Sequence, residues 1–113
     1  ARVLYVETIS NPTIVVADLE RLAELGHRHG ATVVVDNTFL GPMWQTPLAH
    51  GADATVYSCT KYIGGHSDLV AGAIVGSHAA VAVAEQRDPL AAQVQREITV
   101  VDHDEVVARA VLW

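Results

Sequence analysis

The sequence is short of several residue types, and each shortage argues against a class of protein. Its one cysteine, Cys59, cannot form an internal disulfide and suits a reducing compartment such as the cytoplasm. Only 7 basic residues stand against 13 acidic ones, and the formal net charge of −6 argues against a nucleic-acid-binding surface. No apolar run approaches the roughly 20 residues that span a bilayer, so no membrane segment is expected. These shortages predict an acidic, cytoplasmic protein.

A starting methionine is also missing. Ala1 leads almost at once into a strand-like apolar run at residues 3–6. Because complete domains seldom begin a sheet so abruptly, we expect a piece of a longer protein, with N-terminal processing as the alternative. The chain has 113 residues, of which 50% are hydrophobic, so it can still form a core.

Hydrophobic patterning predicts an α/β fold with a mostly parallel sheet and flanking helices. A helix capped by Asp18 and stopped by Gly30 separates two apolar runs, and this strand–helix–strand order predicts parallel pairing. The stretch 38–51 contains Gly41, Pro42 and Pro47 and is predicted to be mostly loop, with room for one helical turn. The predicted strands are 3–6, 32–35, 54–57, 69–75 and 98–101, and the predicted helices are 18–29, 77–87 and 104–112.

Polar side chains follow two of the predicted strands. Asp36 ends one strand, and Lys61, the only lysine in the chain, follows another. Lysine amines form Schiff bases with pyridoxal phosphate (PLP), and an aspartate commonly pairs with the pyridine nitrogen of that cofactor. Ser58 and Thr60 would offer hydroxyls to its phosphate. From the residues alone, two interpretations stand: a PLP site, or a solvated lysine and an aspartate that merely ends a strand.

Several motifs, in the same order and spacing, resemble the Cys/Met-metabolism PLP-dependent family, which contains the transsulfuration enzymes. The resemblance covers about residues 4–76 and implies the large α/β domain of the aspartate-aminotransferase type. The motifs are Tyr5-Val6-Glu7-Thr8 with Asn11-Pro12, Val35-Asp36-Asn37-Thr38-Phe39, Pro47-Leu48 with Gly51-Ala52-Asp53, Ser58-Cys59-Thr60-Lys61-Tyr62, and Gly65-His66-Ser67-Asp68.

The resemblance implies a role for each matching residue. Lys61 is expected to hold PLP as a Schiff base and to move protons at the substrate Cα and Cβ. Asp36 is expected to pair with the pyridine nitrogen, and Asn11 to contact the phenolic oxygen. Ser58 and Thr60 are expected to bind the phosphate. No metal ligand is implied.

The resemblance also implies an activity: γ-elimination or γ-replacement on small sulfur-containing or homoserine-derived amino acids, as in γ-lyases and cystathionine γ-synthase. It implies a homo-oligomer, a dimer of dimers, for the full-length enzyme. Glu7 receives only a supporting role. From about His78 onward the family pattern fades, so we predict a PLP-binding core at residues 1–77 and a divergent or truncated segment at 78–113.

Two other interpretations compete with an active enzyme. The first is a truncated, non-catalytic fragment that binds PLP weakly or only when associated with other subunits. The second is an unrelated flavodoxin-like binding module. That module would need a phosphate-binding glycine loop after the first strand, and Ser10-Asn11-Pro12 does not provide one.

Overall fold

A computed structural model describes residues 2–85 and 106–112 of the chain. The described strands form one sheet with neighbours in sequence order. The strands are β1 (Val3–Glu7), β2 (Thr32–Asp36), β3 (Ala54–Ser58), β4 (Ala71–Ser77) and β5 (Val106–Leu112). The helices are α1 (Leu19–Arg28), α2 (Gly41–Trp44) and α3 (His78–Glu85), with a 3₁₀ turn at Pro47–His50 and a wide helical turn at Cys59–Ile63.

The sheet confirms the α/β class, but it is mixed rather than mostly parallel. β1 pairs parallel with β2, and β2 pairs parallel with β3. β4 runs antiparallel to β3, and β5 runs antiparallel to β4. A parallel return after β3 would need a long crossover, usually a helix. The connection at residues 59–70 instead forms one helical turn and a loop, so the chain comes back in the opposite direction.

The C-terminal segment contains one prediction that is wrong. Residues 104–112 were expected to form a helix capped by Asp104, but Val106–Leu112 is strand β5, paired with β4 along its whole length. Its valines favour extended backbone, and pairing with the β4 edge outweighs a local capping signal. The predicted strand at 98–101 lies outside the described residues. The predicted division after residue 77 stays a prediction, although β5 belongs to the same sheet as β1–β4.

Helix α1 forms where the sequence predicted it and covers one face of the sheet. Asp18 caps it by accepting a 3.1 Å hydrogen bond from the backbone N–H of Arg21. The chain turns away at Gly30, whose φ of +64° is readily adopted only by glycine. None of the described helices is long and apolar enough to cross a membrane. The buried core between α1 and the sheet consists of Leu19, Ala23, Val33, Val35 and Ala52.

The stretch after β2, predicted as mostly loop, is organised by Asn37. This side chain is fully buried, and its Nδ2 donates to the carbonyl oxygens of Gly41 and Gln45, both at 2.9 Å. Its Oδ1 accepts a 2.8 Å hydrogen bond from the hydroxyl of Thr8. Asn37 therefore ties the end of β1 and the short helix α2 to the end of β2, where Asp36 and Thr38 flank it.

Gly26 marks the closest approach of α1 to the sheet. A Cβ added there would lie 2.5 Å from Cγ2 of Val33, a side chain that is 1% exposed and cannot easily move. We expect Gly26→Ala to lower the free energy of unfolding by about 1–2 kcal/mol, because overpacking outweighs the better helix propensity of alanine. Urea unfolding followed by circular dichroism measures this change. Glu24→Ala, at an exposed position of α1, should stay within about 0.5 kcal/mol of the unmodified chain. A Gly26→Ala variant that is more stable than the unmodified chain would contradict the close packing of Gly26 against Val33.

Candidate active site

The carboxyl ends of β1, β2 and β3 meet at one edge of the sheet and border a cavity of about 350 Å³. Ligands of α/β sheets commonly bind at this edge, and the volume lies within the roughly 300–1,000 Å³ of small-molecule sites. The sequence-predicted residues Lys61, Asp36, Ser58 and Asn11 all line it. The complete lining is Glu7, Ile9, Asn11, Asp36, Thr38, Phe39, Ser58, Lys61 and Tyr62.

Asp36 ends β2, and its carboxylate accepts hydrogen bonds from neutral donors. Oδ1 accepts from the backbone N–H of Thr38 at 3.0 Å and from its hydroxyl at 2.6 Å. Oδ2 accepts from the hydroxyl of Tyr5 at 2.9 Å. A carboxylate offers about four acceptor positions, so one position on Oδ2 remains for a further donor. The ion pairs within the described ranges involve other carboxylates, so no described cation neutralises Asp36.

Thr38 links Asp36 to Ser58 across two strands. Its hydroxyl donates to Asp36 and accepts a 2.9 Å hydrogen bond from the backbone N–H of Ser58. The hydroxyl therefore has a defined direction, and it fixes the end of β3 relative to the carboxylate at the end of β2. No role was expected for Thr38 from the sequence. Its position two residues after Asp36, where a hydroxyl can bond back to an aspartate, was the available signal.

No role was expected for Tyr5 from the sequence either, although it begins the motif Tyr5-Val6-Glu7-Thr8. The pKa of its hydroxyl is raised, first by partial burial, then by the hydrogen bond to Asp36 and by the charges of Asp36 and Glu7. Because Tyr5 is 56% exposed, water screens part of this effect, but every cause acts in the same direction. Tyr5 is therefore a neutral hydrogen-bond donor at neutral pH.

Glu7 holds the backbone of Asn11 in place. The Glu7 carboxylate accepts a 2.9 Å hydrogen bond from the backbone N–H of Asn11. This bond holds the loop after β1 against the strand end and places both residues on the cavity wall. The geometry matches the supporting role predicted for Glu7.

Lys61 lies in the helical turn that follows β3. The turn is interrupted at Lys61 itself, where φ is −86° and ψ is −115°. The residue is exposed and lines the cavity, so its amine is accessible. Beside it, the rings of Phe39 and Tyr62 lie 6.2 Å apart between centroids and add an apolar wall.

Residues 1–95 match the family described as Cys/Met metabolism PLP-dependent enzyme. The chain belongs to this family. It is 51% identical over 80 residues to an L-methionine gamma-lyase of Pseudomonas putida, and the aligned region covers 71% of this chain and 20% of that protein. It is 53% identical over 74 residues to a cystathionine gamma-synthase of Mycobacterium leprae, and that aligned region covers 66% of this chain and 19% of the relative. The chain therefore spans about a fifth of the length of these relatives.

Solved structures of the family share the fold. Apo CalE6, a methionine gamma lyase from Micromonospora echinospora, superposes with a TM-score of 0.67 at 40% identity, over 75% of this chain and 24% of its own. Cystathionine gamma synthase from Xanthomonas oryzae pv. oryzae, in complex with aminoacrylate and cysteine, gives 0.63 at 49% identity, over 65% and 19% of the two chains. These similarities confirm the family resemblance seen in the sequence motifs.

The cofactor of this family is PLP, and the residues at the cavity fit it. Asp36 keeps an open acceptor position and lacks a described cationic partner, which suits the protonated nitrogen of a pyridine ring. Lys61 supplies the amine in the same cavity. The carboxylate of Asp36 and the amine of Lys61 therefore suit PLP chemically, in agreement with the family to which the chain belongs.

In this family member, Thr60 is the predicted site residue that the structure does not bring to the cavity. Its hydroxyl accepts a 2.9 Å hydrogen bond from the backbone N–H of Ala71 and donates to the carbonyl oxygen of that residue at 3.2 Å. A phosphate contact would require this hydroxyl proton to leave Ala71. The predicted role of Thr60 stays a prediction.

Other features of this family member do not compete with the cavity. Partial burial raises the pKa of the Cys59 thiol, which disfavours the thiolate that a nucleophile needs. A larger groove of about 650 Å³ lies on the sheet near Val34 and Val56, but its lining is mostly apolar and contains no lysine. Within residues 2–85 and 106–112, no group of three or more potential metal ligands comes together.

Proposed function

We propose that this chain forms the PLP-binding core of an enzyme that carries out γ-elimination or γ-replacement on sulfur-containing or homoserine-derived amino acids. One observation carries the proposal. The only lysine of the chain and an aspartate with one open acceptor position line the same cavity. We further propose that the protein acts in the cytoplasm, because its one cysteine is free and needs no oxidising compartment.

Each residue at the cavity receives a distinct task in this proposal. Lys61 would bind the cofactor covalently through its amine and then hold or move a proton at the substrate Cα. Asp36 would keep the ring nitrogen protonated, and Asn11 would orient the ring through its phenolic oxygen. Ser58 would offer its hydroxyl to the phosphate. When bound, PLP supplies an electron sink for the negative charge that develops at the substrate Cα.

The substrate class is proposed from the relatives, which include a methionine gamma-lyase, a cystathionine gamma-synthase and a cystathionine beta-lyase. In the γ-lyase case, the amino acid and water would give an α-keto acid, ammonia and a thiol. In the synthase case, a thiol would replace the leaving group of an activated homoserine ester. We also propose a homo-oligomer, a dimer of dimers, for the full-length enzyme.

A turnover assay tests this proposal. The PLP-loaded protein is incubated separately with methionine, cystathionine and an O-acylated homoserine plus cysteine, and α-keto acid and cystathionine are quantified. Lys61-dependent product from one of these mixtures is the expected result. Lys61-dependent PLP binding without product from any mixture would support the non-catalytic alternative and contradict the proposed activity.

A further inference from the structure

Tyr5 contacts Asp36 because of the register between β1 and β2. Tyr5 pairs with Val34 and Glu7 pairs with Asp36, so Tyr5 is the diagonal neighbour of Asp36 on the same face of the sheet. The tyrosine ring spans this diagonal, and its hydroxyl reaches Oδ2 of the carboxylate at 2.9 Å. The contact therefore comes from the pairing of two strands and is not local in the sequence.

One oxygen of the Asp36 carboxylate accepts two hydrogen bonds, and the other accepts only one. Thr38 supplies both donors of Oδ1, and Tyr5 supplies one donor of Oδ2. Rotation of the carboxylate would break contacts to both residues. Without the tyrosine hydroxyl, Oδ2 would have no described protein donor, and only Thr38 would hold the orientation.

We infer that Tyr5 is a positioning residue, whose hydroxyl fixes the Asp36 carboxylate and leaves a single acceptor position for the pyridine nitrogen of the cofactor. This role rests on the proposed function. Tyr5 does not line the cavity, so it acts through Asp36 and not by touching the cofactor.

The protonation state of Tyr5 agrees with this role. The charged groups that raise its pKa are Asp36 on the neighbouring strand and Glu7 on its own strand, and both disfavour the phenolate. The raised pKa means that the donated hydrogen bond is fully present below the ordinary tyrosine pKa of about 10 and is lost as the pH rises through the folded-state value.

The first test needs no cofactor. The ultraviolet absorbance of the phenolate is titrated in the unmodified 113-residue chain and in Tyr5→Phe, and the difference isolates Tyr5 from the other tyrosines. We expect a midpoint above the ordinary value, which falls in Asp36→Asn because the carboxylate charge is removed. A midpoint near the ordinary value that does not respond to Asp36→Asn would overturn the inference.

The second test measures PLP affinity from the visible absorption band. Tyr5→Phe should raise the Kd for PLP roughly five- to tenfold, as expected for one lost hydrogen bond, while the far-ultraviolet circular dichroism is unchanged. Tyr57→Phe is the matched control. This variant also loses a tyrosine hydroxyl, but at a residue outside the cavity, so its Kd for PLP should be unchanged. An unchanged Kd in Tyr5→Phe overturns the inference and leaves the proposed function standing. A wild-type chain without any Lys61-dependent band overturns the proposed function, and the positioning role falls with it.

Discussion

Lys61→Ala is expected to abolish the visible absorption band that appears when PLP is added to the chain. Lys61 is the only lysine, and it lines the cavity that also contains Asp36, so no other side-chain amine can replace it. Any turnover should fall by at least roughly 10²- to 10⁴-fold, because the amine that we propose to move the proton at the substrate Cα is also lost. Absorption spectra of the two proteins at equal PLP concentration measure the first effect.

Two controls separate the cavity lysine from unspecific amine chemistry. The α-amino group of Ala1 is the other amine of the chain, and it remains in Lys61→Ala. Lys61→Arg keeps the positive charge but cannot bind the cofactor covalently, so it should also lack the band. A band of equal intensity in Lys61→Ala would show that the amine of Lys61 is not the attachment point.

Asp36→Asn is expected to raise the Kd for PLP by roughly 10- to 100-fold. The variant keeps the size of the side chain, but it loses the charge that balances a protonated ring nitrogen, and a charge-assisted hydrogen bond contributes about 1.5–3 kcal/mol. In the variant the amide oxygen can keep both hydrogen bonds from Thr38, and the amide NH2 that replaces Oδ2 can donate to the hydroxyl of Tyr5, so the local fold should persist. Titration of the visible band with PLP gives the Kd.

Asp53→Asn is the matched control for Asp36→Asn. Asp53 also accepts a backbone hydrogen bond, from Val33 at 2.7 Å, and its Oδ2 lies 3.0 Å from Nε2 of His27, but it lies outside the cavity. We expect Asp53→Asn to lower stability without changing the Kd for PLP, when both are measured below the unfolding transition. Equal Kd values for Asp36→Asn and the unmodified chain would contradict the role of Asp36.

The sequence predicted which strand ends border the cavity, because the carboxyl ends of neighbouring parallel strands must meet. Asp36 and Ser58 each end a strand, and the apolar runs that precede them are readable without a structure. Lys61 follows in the next turn, so predicting that it lines the same cavity as Asp36 needed only the strand order. The capping of α1 by Asp18 and its stop at Gly30 are equally local, and both predictions were confirmed.

Features that depend on pairing between distant segments could not be predicted from the sequence. The contact of Tyr5 with Asp36 needs the β1–β2 register, and the engagement of Thr60 by Ala71 needs the return of β4 beside β3. Strand β5 looked like a capped helix until its pairing with β4 was known. In each case the local pattern was compatible with more than one structure, and a long-range contact selected between them.

The most direct test of the cavity as a PLP site is to locate the covalent attachment. The chain is mixed with PLP, reduced with borohydride and digested, and the modified peptide is identified by mass spectrometry. We predict the phosphopyridoxyl group on Lys61, with strongly reduced labelling at the same PLP concentration in Asp36→Asn. Labelling confined to the amino group of Ala1, or labelling of Lys61 that is unchanged in Asp36→Asn, would contradict a cofactor site built from the ends of β1, β2 and β3.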